Sequence, residues 1–176
     1  AKQRIFQHCT NVIFNRDDPQ TFPIHGLTAA RQSFGLSEPD QENELGITRL
    51  EGERWLVKGT RHLMPVSEVP LAGEHGLANV LAAFALGLAA DFSIAAMRSA
   101  VAGFKALPHR CELVGQHQGV TYFNDSKATN VGAMLAAVKG LAKPDAPTWL
   151  ILGGEGKNQD FSPLKAALSK NIDRKS

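Results

Sequence analysis

The sequence predicts an α/β protein: a small β region with flanking helices, followed by the opening part of a second α/β layer. Three observations carry this. Short apolar runs of strand length precede His75, and from His75 apolar residues recur at three-to-four spacing. Beyond Leu107-Pro108 the order becomes helix, strand, helix, and that strand is apolar at every position.

Composition bounds the rest. The 176 residues are 43% hydrophobic and 20% charged, close to globular averages, so the chain folds. Nineteen Lys and Arg against seventeen Asp and Glu leave +2, which is no footprint for nucleic acid or an anionic membrane. Any basic site must be local. The longest apolar run, Leu77 to Ala90, is interrupted by Asn79 and closed by Asp91, short of the about 20 residues a membrane helix needs. Only Cys9 and Cys111 are present, without CxxC or HxxxH spacing, which predicts neither a disulfide scaffold nor a Cys/His zinc site and fits a reducing, cytoplasmic setting. The chain opens without Met and without the regions of a signal peptide, so it is expected to be a piece of something longer.

The elements follow in order. Asn11 to Asn15 is a short apolar run closed by Asp17-Asp18-Pro19, a buried strand ending in a turn. Ile47 to Leu50 and Arg54 to Lys58 flank Glu51-Gly52-Glu53 and predict a hairpin. The stretch Glu38 to Arg54 holds six acids and two bases, read as a solvated loop and edge-strand face, because charge runs usually face water. A helix from His75 places Leu77, Val80, Leu81, Phe84 and Leu88 on one face. Ser93 caps a second, whose stripe is Ile94, Met97, Val101 and Phe104 and which Gly103 weakens. Leu107-Pro108 then forces extended backbone and marks a domain boundary.

Beyond it, Cys111 to Gln116 and Val120 to Asn124 are short strands around His117-Gln118-Gly119. A helix carries Val131, Met134, Leu135 and Val138 and is expected to end at Gly140. Thr148 to Leu152 reads as a strand buried on both faces, and after Gly153-Gly154-Glu155-Gly156-Lys157 a last helix starts with Ser162 as N-cap and Pro163 at its first position.

Several segments hold candidate chemistry, each beside a structural reading. The Gly153 to Lys157 loop is either an anion site, through open backbone and a helix N-terminus, or a plain turn. It matches neither a Walker A loop nor GxGxxG, since Gln159 stands where the third glycine would be. Asn124 to Asn130 packs a carboxylate, two hydroxyls, an ammonium and two amides between a strand and a helix, where helix capping by Asp125 or Ser126 would need only one such group. Arg110 at the junction either clamps a ligand or forms a salt bridge. Asn79, inside an apolar helix, is expected to bond a ligand or a neighbouring backbone group. His109 beside Cys111 lacks the third group a Cys/His nucleophile needs.

Taken together, His75-Gly-Leu-Ala-Asn79, Leu107-Pro-His-Arg-Cys-Glu112, Asn124-Asp-Ser-Lys-Ala-Thr-Asn130 and Gly153-Gly-Glu-Gly-Lys157 with Asp160-Phe-Ser-Pro-Leu164 resemble the Mur ligases in order and spacing. Asn-Asp-Ser-Lys-Ala-Thr-Asn is similar to the D-glutamate-adding branch; sister ligases and folylpolyglutamate synthases carry an Asp- and His-containing segment there. The rival readings are one of those other amide ligases, or a non-enzymatic nucleotide-binding module built on the glycine loop.

The resemblance implies that residues 1–106 are the C-terminal half of a central ATP-binding domain, a mixed sheet with flanking helices. Residues 107–176 would be the N-terminal half of a Rossmann-like, amino-acid-binding C-terminal domain. It implies an ATP-dependent ligase of peptidoglycan synthesis using Mg²⁺, with UDP-N-acetylmuramoyl-L-alanine and D-glutamate as substrates, monomeric when full length, and inactive as this piece. By resemblance Lys2, once carbamylated, helps hold magnesium, because CO₂ turns an ammonium into hard oxygen donors. Asn79, His109, Arg110 and Asp125 would serve ATP. Lys127, Thr129 and Lys157 would hold D-glutamate and substrate carboxylates. One position departs: Gly76 follows His75 where the family carries Asn.

Overall fold

The structure, a computed structural model, describes residues 2–23, 29–105, 107–142, 146–168 and 172–173. The chain divides into two compact units, residues 1–105 and 106–176.

The first unit is built on a five-stranded mixed sheet of order β1-β2-β3-β4-β5. The strands are β1 (Asn11–Asn15), β2 (Ala30–Phe34), β3 (Glu44–Leu50), β4 (Glu53–Lys58) and β5 (Arg61–Pro65). The first three run parallel, with Asn11 opposite Ala30 and Ser33 opposite Glu44, and β3, β4 and β5 pair antiparallel. The predicted hairpin is β3–β4. Its turn residues Glu51 and Gly52 both lie at positive φ, 51° and 88°, as a type I′ turn requires.

Arg16 and Asp17 stitch the end of β1 to the chain leading into β3. The Arg16 guanidinium donates to the Leu45 and Ser37 carbonyls, and Asp17 Oδ2 accepts the Leu36 N–H at 2.7 Å. The acids between Glu38 and Arg54 face water as expected, yet β3 is the third of five strands, so the edge-strand reading does not hold. Leu45 and Ile47 explain why: they alternate inward into the core while the charges occupy flanking positions.

Two helices cover this sheet, α1 (Gly73–Ala89) and α2 (Ile94–Ala102). The predicted face of α1 is the buried one, with Leu77, Val80, Leu81, Phe84 and Ala85 packed on Leu45, Leu56, Leu63 and Met64. Gly76 sits against Leu71: an added Cβ would lie 2.8 Å from the Leu71 Cβ and 3.2 Å from its backbone, so the close approach explains glycine there. Arg54 forks onto Glu74 at 2.8 and 3.0 Å, tying β4 to the first turn of α1 and lowering the Glu74 carboxyl from its ordinary value through those hydrogen bonds. Ser93 Oγ accepts the Ala96 N–H and caps α2, as its place before the apolar stripe predicts. Phe104 lies beyond the end of that helix and is 46% exposed, because Gly103 already closes it.

The second unit opens with a hairpin, β6 (Glu112–His117) and β7 (Val120–Asn124), turned at Gln118 and Gly119. It continues through α3 (Val131–Leu141), β8 (Thr148–Trp149), α4 (Ser162–Leu168) and β9 (Ile172–Asp173), with β8 and β9 parallel. Three expectations are corrected here. Gly140 lies inside α3, which is capped at Ala142: glycine weakens a helix by about 1 kcal/mol but ends one only by turning left-handed. The run Thr148 to Leu152 forms only a two-residue strand, with Ile151 96% and Leu152 52% exposed; burial on both faces needs cover that the described residues do not provide. Ser162 is the first helical residue of α4 rather than its cap, since the Asp160 carboxylate accepts both its N–H and its hydroxyl. Among the described residues, no helix is long and apolar enough to cross a membrane.

Candidate functional site

Two of the candidates, Lys2 and Asn79, lie in the first unit. The side chain of Lys2 lies outside the described residues, although its backbone opens a short 3-10 turn, Lys2–Phe6. Asn79 is on the exposed side of α1, so its amide is open to solvent and the cost of burying it without a partner does not arise. His75, one turn earlier, is half-buried, with its Nδ1 enclosed and without a hydrogen-bond partner.

The second unit gathers most of the candidates. The segment 107–112 and the loop after β7 are laced together by three contacts. Asp125 Oδ1 accepts the Cys111 N–H at 3.0 Å, His109 O accepts the Lys127 N–H at 3.1 Å, and Asn124 Nδ2 lies 2.9 Å from His109 Nδ1. His109, Arg110, Asp125 and Lys127 therefore belong to one cluster. His109 and Cys111 both adopt positive φ, 64° and 46°, placing Arg110 between two left-handed residues. Such backbone costs about 1–2 kcal/mol per non-glycine residue, and here Glu112 and Asp125 receive the N–H groups it exposes.

A third segment joins through a residue the sequence reading passed over. Gln159 Oε1 accepts the Val131 N–H at 3.0 Å, and its Nε2 donates to Thr129 O at 3.3 Å. That clip anchors the chain just beyond Lys157 to the loop carrying Lys127 and Thr129.

The alternatives now separate. Asn130 caps α3, its Oδ1 taking the Ala133 N–H at 2.8 Å, while Asn124 closes an Asx turn onto Ser126. Both amides and Asp125 thus do structural work, and Lys127 and Thr129 expose side chains beyond it. The glycine loop gains nothing from α4, a short helix whose first N–H is already taken by Asp160, so the anion reading through a helix end is set aside and Lys157 is what the loop presents. The Cys/His nucleophile is excluded as well. Burial, with the Asp125 carboxylate second, pushes the Cys111 thiol up to about 11, and His109 Nδ1 is committed to Asn124.

What remains is a set of exposed cations. Arg110, Lys127 and Lys157 are exposed and form no ion pair among the described residues. Exposed cations on hydrogen-bonded loops suit phosphate and carboxylate oxygens. They do not suit a divalent cation, and no group of three or more His, Cys, Asp or Glu among the described residues could hold one.

A family profile described as "Mur ligase, glutamate ligase domain" matches residues 109–175, the segment that contains the cluster. UDP-N-acetylmuramoylalanine–D-glutamate ligase of Acinetobacter baylyi is 43% identical over 98% of this chain and 39% of its own length. The Pseudomonas fluorescens protein of the same name is 44% identical over 97% and 38%. The chain thus spans less than two-fifths of these relatives. Among solved structures, a UDP-N-acetylmuramoyl-L-alanyl-D-glutamate–2,6-diaminopimelate ligase superposes with a TM-score of 0.58 at 22% identity over 97% of this chain and 38% of that one, a likeness of fold.

Proposed function

We propose, from its likeness to the Mur ligases, that the chain is a piece of an ATP-dependent ligase joining D-glutamate to UDP-N-acetylmuramoyl-L-alanine in peptidoglycan synthesis. The single observation that carries this is the lacing of segments 107–112 and 124–131 around exposed cations, inside the stretch the glutamate-ligase profile matches. In this reading residues 1–106 belong to a central ATP-binding domain and residues 107–176 open a Rossmann-like C-terminal domain. The whole protein is cytoplasmic and monomeric.

The chemistry follows from the donor set. The γ-phosphoryl group of ATP passes to the alanyl carboxylate, giving an acyl phosphate and ADP. The amine of D-glutamate attacks the acyl carbon, loses a proton, and the collapsing tetrahedral intermediate expels phosphate. Charge builds on phosphoryl and acyl oxygens, which is where fixed donors lower a barrier. Arg110 and His109 reach phosphate oxygens, and Asp125 keeps Arg110's loop in place. Lys127, Thr129 and Lys157 hold the carboxylates of D-glutamate and of the substrate, and Asn79 lies on the adenine side. Lys2 as a carbamate would supply oxygen donors to Mg²⁺. The described residues assemble no metal site, so no step runs through that ion.

The test is kinetic, in the full-length protein. Losing a charge-assisted contact worth about 1.5–3 kcal/mol should raise the D-glutamate KM by about tenfold or more in Lys127→Ala and Lys157→Ala, with the ATP KM changed far less. Unchanged D-glutamate kinetics would remove both lysines from the site. The purified 176-residue chain should release no ADP in response to D-glutamate, and turnover by it would refute the assignment of the missing half-reaction machinery elsewhere.

A further inference from the structure

Asn124 ends β7, and the backbone around it dictates which way its amide faces. Its Oδ1 accepts the Ser126 N–H at 3.1 Å. A backbone N–H can only donate, so the atom it meets is the oxygen, and the terminus 2.9 Å from His109 Nδ1 is the NH₂ group. Flipping the amide would set donor against donor at Ser126. Since an NH₂ group offers only hydrogens, His109 Nδ1 must accept, and a neutral imidazole then carries its proton on Nε2.

Glu112 does not compete for that nitrogen. Its Oε2 takes the His109 backbone N–H at 2.8 Å and stays 4.0 Å from Nδ1, beyond hydrogen-bond range. His109 is also anchored through its carbonyl, which accepts the Lys127 N–H. Its side chain is 53% exposed, and Nε2 makes no hydrogen bond among the described residues. The ring is therefore held by one nitrogen and free at the other.

We propose that Asn124 is a positioning residue that sets His109 in the Nε2–H tautomer, making the free ring nitrogen a hydrogen-bond donor to a phosphate oxygen of the bound nucleotide. The opposite tautomer would turn a lone pair toward that oxygen and repel it. Asn124 acts on the nucleotide only through the imidazole. The nucleotide half of the inference rests on the function proposed above; the tautomer half does not.

The experiment labels the full-length protein with ¹⁵N-histidine and records long-range ¹H–¹⁵N correlations above the ordinary histidine range of about 6.5, assigning His109 by its loss in His109→Gln. The expected result is an unprotonated Nδ1 and a protonated Nε2. Asn124→Asp keeps the oxygen that accepts the Ser126 N–H and replaces the donor with an acceptor, so the proton should move to Nδ1. Adding ATP should shift the wild-type Nε2 resonance while D-glutamate alone should not, and Asn124→Asp should weaken ATP binding by about tenfold, the worth of one charge-assisted contact. A wild-type Nδ1–H tautomer, or a proton that stays on Nε2 in Asn124→Asp, would overturn the proposal, and an Nε2 resonance indifferent to ATP would overturn its nucleotide half. Failure of the ligase reading is a separate result: no D-glutamate-dependent ADP release, with the tautomer as stated.

Discussion

Cys111 shows how a residue that looks reactive in a sequence is made inert. It follows His109 and Arg110 just before β6, where burial comes first and the Asp125 carboxylate second in pushing its thiol from an ordinary 9.0 up to about 11. The consequence for stability has a definite sign. The folded chain holds this proton more tightly than the unfolded chain does, so the stabilisation is complete below pH 9 and is lost as pH rises toward 11. In a Cys9→Ala background, urea midpoints should fall across that window, and Cys111→Ala should flatten the decline. An equally steep decline in Cys111→Ala would show that another group titrates there. Iodoacetamide near neutral pH should label Cys111 far more slowly in the folded chain than in urea, because the thiolate is the nucleophile.

Elements were legible in the sequence where one physical signal dominated. The buried face of α1 follows from apolar spacing, α2 from a serine before its stripe, and the β3–β4 and β6–β7 hairpins from turn residues at positive φ. β2 was not legible. Ala30, Arg31 and Gln32 carry no alternation, and the strand exists because β1 and β3 offer ladders on both sides. The candidate site divides in the same way. Asp125 and Lys127 stood out as dense polar chemistry after a strand and Arg110 as a cation at the junction, whereas Gln159 works by binding backbone across a long sequence separation, which leaves no spacing to read. The cap of α3 is Asn130 rather than the Asp125 or Ser126 that a capping reading of the segment offered, because the helix starts later than the polar run does. Removing that cap in Asn130→Ala should cost about 1 kcal/mol in urea unfolding. Gln159→Ala, which strands the part-buried Val131 N–H, should cost about 1–3 kcal/mol and speed exchange of that amide. Protection at Val131 unchanged in Gln159→Ala would mean that the clip does not form in solution.

The two units differ in how much apolar surface each buries, and that sets how the whole chain should unfold. In residues 1–105 the buried set is a continuous core in which Leu45, Leu56, Leu63, Met64, Leu81 and Phe84 are almost fully enclosed between the sheet and α1. Among the described residues of 106–176 only Cys111, Val138 and Leu164 are buried apolar residues, while Leu113, Val114, Trp149 and Ile151 stand 57%, 65%, 56% and 96% exposed. Burial contributes roughly 25 cal/mol per Å², and ordering each residue costs about 1–2 kcal/mol, so the first unit has a surplus that the second lacks. The 176-residue chain should therefore lose its structure in two steps. Amides of β6, β7 and α3 should exchange orders of magnitude faster than those of β3, β4 and α1, and a dye that reports exposed apolar surface should bind the native chain. Fluorescence of Trp55, on β4, should report only the later transition in urea. One transition shared by every amide would overturn this order of unfolding, because the hydrogen bonds that brace β6, β7 and α3 would then be as hard to open as the core around Leu56 and Phe84.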